Sequence, residues 1–530
     1  MPRVLVIGSG PASAAVALAA TSVARVEVEI IDLGERLDPE KRLALDHAAD
    51  MDPADWPRSV TRELAQPPFA GDKRELPQKL LFGSDFPYRD RGQLAAIETA
   101  PGTNGRSVSA AFGGFSNVWG AQIMPFTRAT IDRWPVGYEE LLPHYTAMLG
   151  HLPYAAVDDD YSELFPLLTT ATALPRLSPA IAQLLGRYHQ HRNGVRRRGV
   201  TVGHARLALD APRCIECGLC LTGCPYGLIY SASHTLNELI AERRVRYTPG
   251  MLACQLGEDA DGAWVNARAV DTGELRTFRG DHVFVACGGI GSTRLILNSS
   301  RSSSNTANLL ESVQVVLPFV STRPQPDPRT ITTFTLNQCN MLVAYGRPGL
   351  DLAQFHIYPY NSSFDDALPQ LVRRSPPLHR AILRRTVAAL GYLPSWDSPG
   401  IRLDVGDRTR DGLPAVSLTA TPNASTDRVL RRIMLQLLRV APALDLWPAL
   451  PAVRISGAAK SYHFGGSFPH VAGKPRAGAP ETDTLGRLAE WRRIHLVDGA
   501  VLPSVPATTF TLSVMANAHR IASRALDVRA

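Results

Sequence analysis

The N-terminal segment most constrains what this chain can fold into. Residues 3–7 form an apolar run, residues 11–21 are rich in alanine, and residues 26–31 are mostly β-branched and apolar. This pattern predicts a strand, a helix whose first turn contains Pro11, and a second strand. Strand, helix and strand within about thirty residues make a βαβ unit, so the strands should be parallel with a right-handed crossover. The predicted fold class is therefore α/β.

The turn between the first strand and the helix reads Gly8-Ser9-Gly10-Pro11-Ala12-Ser13. In a dinucleotide-binding turn the first glycine permits the tight bend, and the second lets the backbone approach a pyrophosphate at the helix N-terminus. Ser13 replaces the usual third glycine and is small enough for close helix–strand packing. Asp32 closes the second strand, where its carboxylate can accept hydrogen bonds from a ribose diol. These features predict dinucleotide binding, and by themselves they do not separate FAD from NAD.

Length and charge narrow the class of protein. The chain has 530 residues, and because single cores rarely exceed about 250–300 residues we expect two or more domains. A net charge of +7 is only mildly basic, and no nucleic-acid-binding module accompanies it, so we expect no nucleic-acid partner. Basic clusters within 192–198 and 380–385 are solvated helix faces or a docking patch for an acidic partner or membrane surface. No apolar run is long enough to predict a transmembrane segment. Because the first strand begins at residue 3, we also expect no signal peptide.

Four further segments combine glycine with small polar residues or histidine. They are Gly113-Gly114-Phe115-Ser116-Asn117-Val118-Trp119-Gly120, the segment 283–292, His463-Phe464-Gly465-Gly466-Ser467, and the segment 495–511 with its Asp498-Gly499 and Thr508-Thr509-Phe510-Thr511. Taken alone, the first of these is a close backbone approach to a ligand or a plain turn, and His463 alone would be an ordinary structural histidine. The segment 283–292 is a buried strand that breaks into glycines before a helix, which predicts a second crossover of the dinucleotide fold. Residues 245–253 are predicted to form one strand.

In order and content, these motifs resemble the glucose-methanol-choline (GMC) oxidoreductase family over nearly the whole chain. The resemblance implies FAD as cofactor, with its pyrophosphate on Gly8, Gly10, Pro11, Ala12 and Ser13 and its ribose on Asp32. The residues that the resemblance places around the flavin are Gly113, Gly114, Ser116, Asn117, Trp119, Gly120, Asp498, Gly499, Thr509, Phe510 and Thr511. His463 is implied to be catalytic, because residues 463–467 match the family's HxxG[TS] pattern.

The chain departs from the family where the final segment turns into its helix. The family usually has a second histidine or an asparagine there, whereas this chain has Thr509. Threonine can donate or accept a hydrogen bond but cannot act as a base at neutral pH. The catalytic residues are therefore predicted to be His463 and Thr509, with His463 as the sole general base or with the substrate oriented differently.

Four of the seven cysteines form the run Cys214-x2-Cys217-x2-Cys220-x3-Cys224-Pro225. This is the spacing of bacterial ferredoxins, and it predicts an iron–sulfur cluster, with a zinc site or plain thiols and disulfides as alternatives. Because the fourth cysteine of such a run can ligate a different cluster, both 3Fe-4S and 4Fe-4S remain open. The run is similar to that in catalytic subunits of bacterial FAD dehydrogenases of the GMC group, which send electrons to an external acceptor. Such a pattern suits a reducing compartment, the cytoplasm.

Together these features predict a Rossmann-type FAD-binding domain assembled from discontinuous segments plus an α+β substrate domain. The FAD domain would comprise 1–130, 200–300 and 455–530, and the substrate domain 131–199 and 301–454. The predicted activity is oxidation of an alcohol, sugar or polyol-like small molecule by hydride transfer to flavin, with electrons leaving through the cluster to an acceptor protein. The alternatives are an O2-using alcohol oxidase with a structural metal site, an FAD-containing lyase and a non-catalytic electron-transfer flavoprotein.

Overall fold

The structure is a computed structural model that describes residues 1–57, 60, 79–89, 97–99, 107–301, 304–361, 364–365 and 368–527. The strands are β1 (Arg3–Ile7), β2 (Glu27–Ile31), β3 (Ile97–Thr99), β4 (Val200–His204), β5 (Arg246–Thr248), β6 (Met251–Asp259), β7 (Gly262–Ala269), β8 (Leu275–Gly280), β9 (His282–Val285), β10 (Thr306–Glu311), β11 (Gln314–Val320), β12 (Cys339–Ala344), β13 (Leu352–Tyr358), β14 (Thr386–Tyr392), β15 (Gly400–Val405), β16 (Val416–Thr421), β17 (Trp447–Pro448), β18 (Arg454–Ile455), β19 (Phe464–Gly465) and β20 (Ile494–Leu496). The α-helices are α1 (Pro11–Thr21), α2 (Pro39–Ala49), α3 (Arg128–Ile131), α4 (Tyr138–His151), α5 (Pro179–Arg196), α6 (Ala232–Ala241), α7 (Gly289–Ser299), α8 (Gln370–Arg373), α9 (Pro376–Leu383), α10 (Thr426–Leu444) and α11 (Thr511–Ala525).

A parallel sheet joins both ends of the chain. Its strand order is β20-β9-β1-β2-β5, and every neighbouring pair is parallel. The predicted βαβ unit is confirmed as β1, α1 and β2, and the second predicted crossover as β9 and α7. The predicted α/β class is therefore confirmed, with a parallel sheet at the centre of the fold.

Helix α1 lies against this sheet and contacts the C-terminal helix α11, which in turn contacts α4. The six alanines of α1 are all buried, so the helix is apolar around most of its circumference. A helix of this kind belongs inside a protein rather than at its surface. Small side chains let the first and last helices of the chain approach closely, which places the two terminal segments side by side.

The other three sheets among the described residues are mainly antiparallel. The largest has the order β17-β11-β14-β13-β12-β4, with β18 also paired to β11. One face of this sheet packs its apolar side chains against α5 and α10. A sheet of order β19-β10-β15-β16-β3 is antiparallel except for the parallel pair of β16 and β3, and β6-β7-β8 is antiparallel throughout.

The structure corrects one predicted strand. Residues 245–253 form two strands rather than one, because Gly250 adopts a left-handed φ of 73° between β5 and β6. As a result β5 joins the parallel sheet, whereas β6 begins an antiparallel one.

The proposed division into FAD and substrate domains stays a prediction. Strand β4 lies in the predicted FAD segment 200–300 yet pairs with β12 of the largest antiparallel sheet. Strand β19, from the C-terminal segment, pairs with β10. None of the helices in the described ranges is both long and apolar enough to cross a membrane.

Candidate active site

The carboxyl ends of four parallel strands define one edge of the central sheet. Gly8 follows β1, Asp32 follows β2, Cys287 lies two residues after β9, and Asp498 lies two residues after β20. Burial raises the pKa of the Cys287 thiol, and the carboxylates of Asp498 and Asp32 raise it further, because both lie close to it. Ligands of open α/β sheets bind outside the carboxyl ends of the strands, so this edge is the place to look for a site.

The first glycine turn leaves open space at the N-terminus of α1. Gly8 has a φ of 99°, and an added Cβ there would lie 2.5 Å from the Ala286 carbonyl oxygen. Gly10 is the N-cap of α1 with an ordinary extended backbone, and an added Cβ there would meet no atom within 4 Å. Of the three residues that follow, Pro11 begins the helix, while Ala12 and Ser13 are buried. A helix N-terminus beside open space is suited to an anion such as a pyrophosphate.

Asp32 is held by one donor from its own turn and one from the first glycine turn. Its Oδ1 accepts a hydrogen bond from the Leu33 amide at 2.8 Å, and its Oδ2 accepts one from the Ser9 hydroxyl. Burial raises the pKa of this carboxyl to about 7, although these hydrogen bonds oppose the shift. Ser9 Oγ also accepts a hydrogen bond from the Gly113 amide at 3.0 Å. It therefore connects the end of β2 to the second glycine segment, residues 113–120.

The segment 113–120 packs its backbone directly on the first glycine turn. Gly113 and Gly114 both have left-handed φ values, and an added Cβ on Gly114 would lie 3.3 Å from the Gly10 Cα. The predicted ligand-binding side chains of this segment make contacts within the protein. Ser116 Oγ donates to the Gly113 carbonyl at 2.5 Å, Asn117 Nδ2 donates to the Gly114 carbonyl at 2.8 Å, and Trp119 Nε1 donates to the Tyr230 carbonyl at 2.8 Å. These side chains therefore hold the shape of the loop.

Asp498 connects two motifs that are far apart in sequence. Its Oδ2 accepts the Gly288 amide at 2.8 Å and the Ser292 hydroxyl at 2.5 Å, and its Oδ1 accepts the Ala500 amide at 2.9 Å. Burial raises the pKa of this carboxyl, and the three donors oppose the shift. The Gly466 amide donates a hydrogen bond to the Gly499 carbonyl at 2.8 Å, which fixes the segment that follows His463.

His463 is held between two aromatic rings. Its imidazole stacks on Tyr392 with the ring centroids 4.5 Å apart and meets the Phe510 ring edge-on at 5.3 Å. The backbone is fixed as well, because the His463 amide donates to Ser461 Oγ at 3.0 Å. Burial lowers the pKa of the imidazole to about 4, so the ring is neutral at pH 7. Its Nδ1 is buried and has no hydrogen-bond partner in the described part of the chain.

Two hydroxyl groups near His463 are also unpaired. The Oγ1 atoms of Thr508 and Thr509 are buried without a hydrogen-bond partner among the described residues. Phe510, which contacts His463, follows directly, and Thr511 begins α11. Because most buried polar groups in proteins are paired, unpaired groups gathered at one place indicate a ligand position. The structure thus brings His463 and the segment Thr508–Thr511 together.

Two buried polar residues on the largest antiparallel sheet, Gln354 and His356, were not predicted from the sequence. Gln354 on β13 stands directly opposite Tyr392 on β14, and the ring of His356 lies 5.1 Å from the Tyr392 ring. The amide atoms of Gln354 and the Nε2 of His356 are buried without partners among the residues described. The only signal in the sequence was the alternation Gln-Phe-His-Ile-Tyr along the strand.

The cysteine run forms a compact loop beside the second glycine segment. Burial and the neighbouring thiols raise the pKa of Cys214 to about 11 and that of Cys217 to about 12. Cys220 Sγ accepts the Thr335 amide at 3.3 Å, and Cys224 Sγ accepts the Leu228 amide at 3.4 Å. Within the described ranges, no group of three or more histidine, cysteine, aspartate or glutamate side chains is arranged to hold a metal ion. A metal site at this run therefore remains a prediction.

Two residues outside the cysteine run, Lys79 beside Cys220 and Ser231 further along the chain, contact the segment 113–120. Lys79 Nζ donates to the Trp119 carbonyl at 2.9 Å, and burial lowers its pKa to about 8 while the nearby Cys220 thiol opposes the shift. Seven residues after the run, Ser231 Oγ donates to Asn117 Oδ1 at 3.1 Å. The thiols and the second glycine segment are therefore neighbours.

Similarity to known proteins is confined to the fold. No protein-family model matches this chain, and no curated protein sequence does. Among solved structures, the chain is similar to pyridoxine 4-oxidase from Mesorbium loti, with a TM-score of 0.61, 14% sequence identity and 100% of each chain covered. An identity this low establishes the architecture alone, so the chain shares a fold, over its whole length, with a known oxidase.

Proposed function

We propose that this chain is an FAD-dependent oxidoreductase of the GMC type that oxidises the CH–OH group of an alcohol. The observation that carries the proposal is His463, a neutral, half-buried imidazole whose Nδ1 is buried and unpaired. It contacts Phe510, which directly follows the unpaired hydroxyls of Thr508 and Thr509, and the segment after it is held by the Gly499 carbonyl near the carboxyl edge of the parallel sheet. A positioned, neutral imidazole is suited to take a proton from a substrate hydroxyl.

The residues at this edge fit FAD. Gly8, Gly10 and Ser13 would receive the pyrophosphate in the open space at the N-terminus of α1. Asp32 would accept hydrogen bonds from the ribose, in place of the Ser9 hydroxyl that it holds here. The backbone of 113–120 and the segment from Asp498 to Thr511 would line the flavin. Bound FAD would supply the hydride acceptor, at its N5 atom.

Within this arrangement His463 acts as the general base. The aromatic rings of Tyr392 and Phe510 fix its plane and exclude water, which favours the neutral imidazole. Thr509 cannot accept the proton at neutral pH, but its hydroxyl can orient the substrate oxygen. The shared fold with pyridoxine 4-oxidase is consistent with oxidation of an alcohol.

We further propose that the cysteine run binds an iron–sulfur cluster, either 3Fe-4S or 4Fe-4S. The ferredoxin spacing and the amide N–H groups that donate to the sulfur atoms of Cys220 and Cys224 support this. Such a cluster would pass electrons one at a time to an external acceptor protein. Because the thiols must stay reduced to bind metal, the cytoplasm is the compartment that we propose.

The proposal is tested by purifying the protein under anaerobic conditions and recording its visible spectrum with a panel of alcohols, polyols and sugars. We expect flavin bands with a broad brown shoulder, and bleaching of the flavin bands by at least one alcohol. A flavin that stays oxidised through turnover of a hydroxynitrile would favour the lyase alternative. A flavin that no alcohol reduces, together with an indifferent His463→Ala variant, would favour an electron-transfer protein.

An O2-using alcohol oxidase is the second candidate, because the structural neighbour is an oxidase. The two candidates differ in where the electrons go. An oxidase should form hydrogen peroxide in proportion to the alcohol consumed, even after the metal is removed. A dehydrogenase should reduce an added acceptor such as cytochrome c and form little peroxide.

The variant Cys217→Ser tests the cluster. We expect it to lose iron and acid-labile sulfide while FAD stays bound, because the first glycine turn is held by other contacts. The flavin should still bleach with substrate, but cytochrome c reduction should be lost. The matched control is Cys254→Ser, a buried cysteine on β6 outside the run, which should keep wild-type iron.

Two results would contradict this prediction. Normal cytochrome c reduction per FAD-bound Cys217→Ser molecule, accompanied only by lower stability, would make the loop a structural element. Zinc without iron or sulfide in wild-type protein isolated anaerobically would rule out the iron–sulfur cluster.

A further inference from the structure

Strand β13 is buried along its whole length although its residues alternate between polar and apolar. Phe355 and Ile357 face the apolar core with α5 and α10. Gln354, His356 and Tyr358 therefore face the opposite side, because successive side chains of a strand point to opposite faces. An added Cβ on Gly120 would lie 3.5 Å from the Tyr358 hydroxyl, so this polar face is turned towards the segment 113–120.

Tyr392 links this polar face to His463. Gln354 is its direct cross-strand partner, so the two side chains lie next to each other on one face. The rings of His356 and His463 lie 5.1 Å and 4.5 Å from the Tyr392 ring, respectively. The Tyr392 hydroxyl is itself engaged, because it accepts a hydrogen bond from Gln314 Nε2 at 3.1 Å.

Gln354 and His356 carry polar atoms that nothing in the described chain satisfies. Both the Nε2 and the Oε1 of Gln354 are unpaired, as is the Nε2 of His356, and the two residues are 0% and 3% exposed. Burying an amide without a hydrogen bond is unfavourable, and native proteins rarely tolerate it. The unpaired atoms thus point to a ligand that supplies both donors and acceptors.

We propose that Gln354 and His356 bind substrate hydroxyl groups adjacent to the one that His463 deprotonates, which makes the substrate a polyhydroxylated compound such as a polyol or sugar. This inference rests on the proposed function and deepens it. A hydroxyl group both donates and accepts, which matches the amide of Gln354, and it can pair with either tautomer of the imidazole of His356. A simple monohydroxylated alcohol would leave these buried atoms unpaired.

The charge state of the site agrees with a neutral substrate. Burial, and secondarily His463, lower the pKa of His356 to about 3, so this ring is neutral at pH 7. His463 is neutral for the same reason, and the Gln354 amide carries no charge. A substrate carboxylate or ammonium group would lose its hydration against Gln354 and His356 without gaining an ionic partner from them.

The test compares glycerol, 1,2-propanediol and 1-propanol, which share a three-carbon chain, and adds D-sorbitol as a longer polyol. In the FAD-loaded wild type we expect kcat/KM for flavin reduction to rise with the number of hydroxyl groups. In Gln354→Met, which keeps the side-chain length but removes both polar atoms, kcat/KM for the polyols should fall by on the order of tenfold or more. The value for 1-propanol should fall less, so the ratio of polyol to 1-propanol should fall.

The control variant is Gln338→Met, which removes a buried amide whose two polar atoms are paired inside the protein. It should leave the ratio of polyol to 1-propanol unchanged. If Gln354→Met does not fold, His356→Phe tests the same prediction, because it keeps an aromatic ring beside Tyr392 but removes both ring nitrogens.

A second readout does not depend on turnover. Millimolar D-sorbitol should raise the thermal unfolding midpoint of FAD-loaded wild type more than that of Gln354→Met. An unchanged polyol to 1-propanol ratio in Gln354→Met, with full FAD content, would overturn the inference and leave the alcohol oxidation intact. If no alcohol reduces the flavin, the proposed function fails, and the unfolding midpoints alone then test the binding site. Loss of the sorbitol effect in Gln354→Met would support the site. Equal sorbitol effects in Gln354→Met and the wild type would overturn it.

Discussion

Flavin reduction by an alcohol is expected to slow about 10²–10⁴-fold in His463→Ala, the range that a positioned general base contributes. Thr509 cannot replace this base, because its side chain offers only a hydroxyl group. FAD should stay bound at wild-type content, because the first glycine turn does not involve His463. Stopped-flow absorbance at the flavin band under anaerobic conditions measures this rate.

The pH dependence provides a second signature of the same role. A base works only when unprotonated, and burial lowers the pKa of His463 to about 4. The reduction rate of the wild type should therefore hold steady from neutral pH downwards and fall as the pH drops through about 4. The residual rate of His463→Ala should lack this fall, and circular dichroism over the same range should establish that both proteins remain folded.

His519→Ala is the matched control for the loss of a histidine ring. His519 lies on α11, and its Nδ1 is 2.8 Å from the Nδ1 of His144, so it is engaged away from the candidate site. We expect this variant to reduce its flavin at the wild-type rate. An equal rate in His463→Ala and the wild type would remove His463 from the mechanism.

Local patterns in the sequence were sufficient to predict the βαβ unit and the second crossover of the parallel sheet. The bounds of β1 and α1 follow from an apolar run, from Pro11 and from the glycines between them, and the glycines after β9 precede α7 as expected. Such features act between near neighbours, so a single sequence can reveal them. The predicted strand over 245–253 failed because Gly250 can adopt a left-handed φ or continue a strand, and only tertiary contacts decide between the two.

The roles of side chains in the candidate site could not be predicted from such local patterns. The expectation that Ser116 and Asn117 lie at the flavin stays a prediction, and the sequence did not reveal that their polar atoms also hold the loop itself. Asp498 braces Ser292 across more than two hundred residues of sequence, as their separation of 206 shows. Contacts of this kind depend on how distant segments meet. Gln354 was missed because an alternating strand normally predicts one exposed face, whereas here both faces are covered.

Gly10→Val is expected to abolish FAD binding without unfolding the protein. Gly10 has φ −76° and ψ −174°, a conformation that valine adopts readily, and an added Cβ meets no protein atom within 4 Å. A branched side chain would therefore occupy only the open space assigned to the pyrophosphate. FAD released from the purified variant by heat should fall from stoichiometric to near zero. Gly8→Val would be uninformative, because its Cβ would lie 2.5 Å from the Ala286 carbonyl oxygen and the fold itself would be strained.

Gly137→Val separates the loss of the ligand from the intrinsic effect of valine at a helix N-cap. Gly137 caps α4 with φ −73° and ψ 151°, and an added Cβ there also meets nothing within 4 Å. The two substitutions should therefore carry a similar capping cost, while only the one at Gly10 faces the carboxyl edge of the parallel sheet. We expect Gly137→Val to purify with full FAD and Gly10→Val to remain folded without it. Full flavin occupancy in both variants would show that the pyrophosphate does not lie against the first glycine turn.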